Sequence, residues 1–199
     1  MAFPGSHIKF AAKKEAELGI EDKERYYSGT IYPDSRYATG IERSKTHSLD
    51  LLPVDKFTDD FKLGWSVHQL CDHEQAEIIF DLFPKLNTDE KTSQWWIEFT
   101  AVKLAQDFIE MKDFGIKPYL SYISHVETFF EKEDPVTIRD YFGSIQQAYQ
   151  NLAIPETYNI ICDSLHINET REQKVISSAE SVLENDQDSL DKVISELYN

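Results

Sequence analysis

Apolar residues recur every three or four positions along most of the chain, a spacing that predicts helices. Ser6 is placed to cap a first helix running to about Leu18, with Ala11, Ala12 and Ala16 as strong formers and Gly19 as its stop. A short helical piece, Glu21 to Tyr27, follows. From Ser28 to Pro53 the pattern fails, which predicts one long loop. Loops of that length inside compact domains are functional or disordered, and Pro33-Asp34, Arg36, Arg43, Lys45 and Thr46-His47 favour function here. Asp59 or Asp60 opens the strongest helix, which reaches Phe83 and buries Leu63, Val67, Leu70, Cys71, Ile78, Ile79 and Leu82.

A second long helix spans about Ser93 to Lys112 and ends near Gly115. Pro118 opens a third, ending before Asp134-Pro135; Pro135 opens a fourth, to about Leu152, and a shorter one follows Pro155. The stripes Val175, Ala179, Val182, Leu183 and Leu190, Val193, Ile194, Leu197, split by Asn185-Asp186-Gln187-Asp188, predict a helical hairpin with an acidic outer face. No segment alternates strictly, so the fold class is all-α. The division expected is a helical bundle over 1–165 with the hairpin, 166–199, packed on it.

Charge narrows the function. Thirty-six acids against 20 bases give a net charge of −16, a field that repels nucleic acid. A small phosphorylated substrate stays open, because a bound cation reverses the local potential. Cys71 and Cys162 are too few for a disulfide framework or a thiolate zinc site. The N-terminal residues lack a charged stretch followed by an apolar one, and no apolar run reaches the ~20 residues of a membrane span. These features read as a reduced, cytoplasmic protein with no stable membrane insertion.

His68 and Asp72 lie four apart on the strongest helix, so both side chains reach one point. Imidazole nitrogen and carboxylate oxygen are both ordinary zinc ligands. Gly64, one turn earlier, leaves room for another backbone or a substrate. Asp34, His47 and His7 sit on separate elements of the same half of the chain and can converge on that pair; alternatively Asp34 caps a turn, His47 lies on the surface and His7 bonds the helix start. Arg36, Arg43 and Lys45 share the loop of Asp34 and His47 and can neutralise a phosphate, or be ordinary surface charge. Lys103 and Asp107, again four apart, line a pocket or stabilise their helix. His73 with Glu77 reads as a solvent-facing pair, His125 as a packing residue in an aromatic helix, and His166 as a helix C-terminal residue.

Taken in order, Phe3-Pro4-Gly5-Ser6-His7, Gly29-Thr30-Ile31-Tyr32-Pro33-Asp34, Thr46-His47 and Leu63-Gly64-Trp65-Ser66-Val67-His68-Gln69-Leu70-Cys71-Asp72 resemble the bacterial zinc-dependent phospholipase C family. The resemblance covers roughly residues 3–110, and includes Ala101, Lys103, Gln106 and Asp107. It implies an all-α bundle and phosphodiester hydrolysis at a zinc cluster. Asp34, His47, His68 and Asp72 would hold one metal, and His7, with Asp72 bridging, would belong to a second. The family's further His and its His-x-x-x-Glu pair have no counterpart: Ser93-Gln94-Trp95-Trp96-Ile97-Glu98 contains no His. The departure points to one or two ions, zinc or another divalent metal, and to a small phosphoester rather than phospholipid. Asp34 is then the residue to orient or deprotonate the attacking water. Two other readings stand beside it. One is a His-Asp-type phosphohydrolase, disfavoured by the reversed Asp72-His73 order; the other is a non-catalytic helical binding protein.

Overall fold

The computed structural model describes residues 3–48, 54, 57–150 and 156–199. Pro53, Leu152 and Pro155, used above as boundaries, lie outside the described residues. The described chain is all-helical, with no strand among its residues. Its helices are α1 (Pro4–Leu18), α2 (Lys23–Ile31), α3 (Arg36–Thr39), α4 (Arg43–Thr46), α5 (Asp60–Leu82), α6 (Ser93–Asp113), α7 (Lys117–Leu120), α8 (Pro135–Gln150), α9 (Glu156–Ser164), α10 (Glu169–Asn185) and α11 (Gln187–Tyr198).

Several starts follow side-chain capping. Asp22 accepts from Arg25 N, Asp59 from Lys62 N, Thr92 from Trp95 N and Asn168 from Arg171 N. The first helix departs from its expected start. It begins at Pro4, with Phe3 in the capping position and no side-chain cap from it. Ser6 lies inside the first turn, where Asp107 of α6 supplies the cap instead. Its Oδ1 accepts from Ser6 N at 2.6 Å. A proline at the first position suits this, since its missing N–H needs no partner.

The stretch from Ser28 to His47 is not a loop. α2 continues to Ile31, a 3-10 turn covers Tyr32–Ser35, and α3 and α4 follow. Tyr26, Tyr27, Ile31 and Tyr32 are all fully buried, and burial against α5 overrides the weak local propensity of Gly29, Thr30 and Pro33. The third helix is also shorter than expected. α7 ends at Leu120, and residues 121–134 are turns and irregular chain. Side chains satisfy that backbone instead. Ser28 Oγ accepts from the N–H groups of Ser124 and His125, and Gln146 Nε2 donates to the carbonyls of Leu120 and Ile123. His125 is therefore off any helix, though held by Arg25 and Glu127.

α5 is the axis. α2 lies along it, and α1 and α11 pack on it too; α6 carries α10 and also meets α1 and α11. The hairpin thus packs on the same body as the helices before it. The α2–α5 crossing is exceptionally close, and two glycines permit it. A Cβ at Gly29 would lie 2.0 Å from the Phe61 carbonyl oxygen, and one at Gly64 2.0 Å from that of Tyr26. No other residue fits either position. Gly64 admits backbone, one of the two occupants its position allowed.

Candidate metal centre

The close crossing sets the first ligand. With α2 against α5, the Thr30 carbonyl accepts from His68 Nδ1 at 2.8 Å. A carbonyl only accepts, so Nδ1 carries the ring proton and Nε2 is left with a lone pair. His47, at the C-terminal end of α4, is fixed in turn. Its Nδ1 lies 2.8 Å from Thr46 Oγ1. Trp65 Nε1 and Gln69 Nε2, one turn apart on α5, both donate to the Thr46 carbonyl, at 2.7 and 2.9 Å. His47 Nε2 thereby comes to 3.3 Å from His68 Nε2.

Two carboxylates close on the same point. Asp34 Oδ1 lies 3.5 Å from His47 Nε2, and Asp72 Oδ2 lies 3.7 Å from it. Asp34 comes from the 3-10 turn after α2 and Asp72 from one turn beyond His68 on α5. His7, in the first turn of α1, stacks on the His68 ring at 3.7 Å between centroids, and its Nε2 is 3.7 Å from Asp72 Oδ1. Asp72 thus offers one oxygen toward His47 and the other toward His7. His7–His68–Asp72 and Asp34–His47–His68 each bring their donor atoms within 4.8 Å of one another.

These residues fit a divalent ion on three grounds. Two nitrogens bound to a tetrahedral ion at ~2.0–2.1 Å lie ~3.3 Å apart, the spacing of the two Nε2 atoms. Both His7 ring nitrogens and Asp34 Oδ1 are buried without a hydrogen-bond partner, a costly arrangement that a ligated cation relieves. The donor states suit as well. Burial pushes His68 down to about 4, against the pull of Asp34 and Asp72, so it is neutral near pH 7. Burial and His68 hold His7 well below its usual range. Burial raises Asp34 and Asp72. His47 and His68 outweigh that for Asp34, and positive charge including Lys103, together with the histidines, does so for Asp72, so both carboxyls stay ionised.

All five residues expected as ligands therefore meet in one buried cluster. The cations expected to meet a phosphate divide. Arg43 reaches Asp72 Oδ2 at 3.6 Å, and buried Lys103 lies over the Phe99 ring while sharing the field of Asp72. Arg36 stacks on Tyr37. Lys45 is placed elsewhere, its ammonium over Phe130. His73 points to solvent beside Glu77, and His166 follows α9 in a left-handed conformation.

Asp107 is not paired with Lys103. It anchors α1: besides Ser6 N and Oγ it accepts from the hydroxyls of Tyr149 (2.8 Å) and Tyr158 (3.0 Å), while Ser6 Oγ also donates to Glu110. Sequence reasoning missed Thr30, Trp65, Gln69, Tyr149 and Tyr158. Only Trp65 and Gln69 carried a signal, their i, i+4 spacing on the face next to His68. Family models, curated proteins and solved structures provide no match to this chain.

Proposed function

We infer that this protein is a divalent-metal-dependent phosphoester hydrolase, akin in its ligand order to the zinc-dependent phospholipases C but acting on small phosphoesters. The observation that carries the reading is the convergence of the His47 and His68 Nε2 atoms, 3.3 Å apart, with the carboxylates of Asp34 and Asp72. His47, His68, Asp34 and Asp72 would hold one ion, and His7 with Asp72 a second. A divalent ion in such a site supplies Lewis acidity toward phosphoryl oxygen and acidifies coordinated water. The chain's own groups do the rest. Asp34 orients the attacking water, whose proton is released to solvent. The water oxygen bonds to phosphorus, the ester P–O bond breaks, and the departing alkoxide is protonated from solvent. Arg43 neutralises the phosphoryl charge from beside Asp72, at 3.6 Å.

Metal analysis and thermal melting test this on three proteins. Asp72→Asn is expected to bind less metal than wild type and to melt lower, since an ion bound only by the folded state stabilises by about 2.7 kcal/mol at a hundred times its Kd. His73→Ala, exposed and off the cluster, is expected to match wild type in both. Chelation should abolish hydrolysis of bis-p-nitrophenyl phosphate or p-nitrophenyl phosphate, and zinc or manganese should restore it. Chelator-insensitive turnover, or equal metal content in the two variants, overturns the reading. Tight metal binding with no turnover of either ester selects the non-catalytic binding protein instead.

A further inference from the structure

A cleft of about 280 Å³ opens beside the cluster. Trp95, Trp96 and Phe99 of α6 form one wall; Arg36, Tyr37 and Arg43 form the other. Arg43 joins cleft and cluster, since the same guanidinium is 3.6 Å from Asp72 Oδ2. Despite a net charge of −16, none of the described residues lining the cleft is acidic. Arg36 has its guanidinium 3.8 Å from the Tyr37 ring centre and its Nε buried with no hydrogen-bond partner, one donor without an acceptor. Lys103, buried and not itself lining the cleft, lies over Phe99, 4.2 Å from the ring centre.

Aromatic walls alone fit either a quaternary ammonium or a flat ring. The cations decide between them. A choline-like headgroup would sit against two guanidinium groups with no carboxylate among the described lining residues, so it is repelled. A phosphate is drawn to the same groups, and a planar ring stacks on indole and on guanidinium alike. The cleft is close in size to the smaller pockets that hold compact ligands, ~300 Å³.

We propose that this cleft is the substrate-recognition site and that it selects phosphoesters of a planar aromatic alcohol, a nucleoside phosphate above all, over those of aliphatic or choline alcohols. The proposal rests on the hydrolase reading for what happens to the bound ester, but not for the binding itself. In it Arg36 and Arg43 take the phosphate, and Trp96 with Tyr37 takes the ring.

Calorimetric titration of the full chain tests it, with and without added zinc, using AMP, glycerol 3-phosphate and phosphocholine as probes. AMP is expected to bind about tenfold or more tighter than either of the others, in both conditions. Trp96→Ala should erase that preference while leaving glycerol 3-phosphate binding unchanged, and Arg36→Ala should weaken both. Trp96→Phe, which keeps a stacking face, should retain most of the preference. Equal affinities for the three probes in wild type, or phosphocholine binding best, overturns the proposal whatever the variants do. AMP selectivity with no metal-dependent turnover of any ester leaves the recognition site standing and removes the hydrolase. Metal-dependent turnover with no AMP preference does the reverse.

Discussion

Two buried aspartates with opposite surroundings give this protein opposite responses to pH. Asp107 is pushed up to about 7, first by burial and then by the neighbouring charge of Glu110, although four hydrogen bonds reach it. An unfolded aspartate titrates near ~3.9. Between those values the folded chain keeps a proton that the unfolded chain releases, so stability falls as pH rises from about 4 to about 7. Glu110, also raised by burial, acts in the same direction. Asp34 works the other way. Its folded value is held below the usual range, so its contribution is present above ~4 and is lost as pH falls further. Denaturant midpoints measured across pH are expected to peak in mild acid. In Asp107→Asn the fall toward neutrality should become shallower while the acid-side loss persists. An unchanged slope would show that another group titrates there.

Helix geometry decides where these residues can meet, and the α2–α5 crossing is its most constrained point. Any side chain at Gly64 must displace the Tyr26 carbonyl, 2.0 Å from where its Cβ would stand, and with it the Thr30 carbonyl that orients His68. Gly64→Ala is expected to cost about 2 kcal/mol or more, as overpacking does, and to weaken metal binding as well. Gly143, exposed within α8 with nothing within 4 Å of where a Cβ would stand, is the control. Its change to Ala should stabilise by about 0.5–1 kcal/mol. Urea unfolding of the two variants checks both signs. At this scale the sequence was readable where periodicity was strong. α5, α6, α8 and the α10–α11 pair lie near their expected positions. The pairing of His68 with Asp72 was readable too, because one helix carries both. The turns carrying Asp34 and His47 were not: the first forms by burial beside α5, and the second, mostly exposed, is tied to α5 through the Thr46 carbonyl. Nor was the anchoring of His47 through the Thr46 carbonyl, since a backbone acceptor leaves no mark in a residue pattern.

The whole molecule adds a field and a topology. No helix among the described residues is long and apolar enough to cross a membrane, and the net charge of −16 opposes docking on anionic lipid. Sedimentation with phosphatidylserine-containing vesicles at low salt should leave the protein in the supernatant; pelleting with them would contradict this.

The topology bears on α1 and its histidine. α1 is tied to the bundle by Gly5 N to Tyr149, Ser6 to Asp107 and the Ser6 carbonyl to Tyr198, partners 144, 101 and 192 positions away. Thr30, Asp34, His47, His68 and Asp72, by contrast, all fall within one short span of chain. Closing long loops costs entropy before any contact repays it, so contacts of high separation form late. Contact separation therefore predicts an order: the Asp34–His47–His68–Asp72 half forms first, and the His7 half follows as α1 docks on helices from the far end of the chain. Refolding started in the presence of zinc is expected to show ion capture before the His7 ring docks on His68.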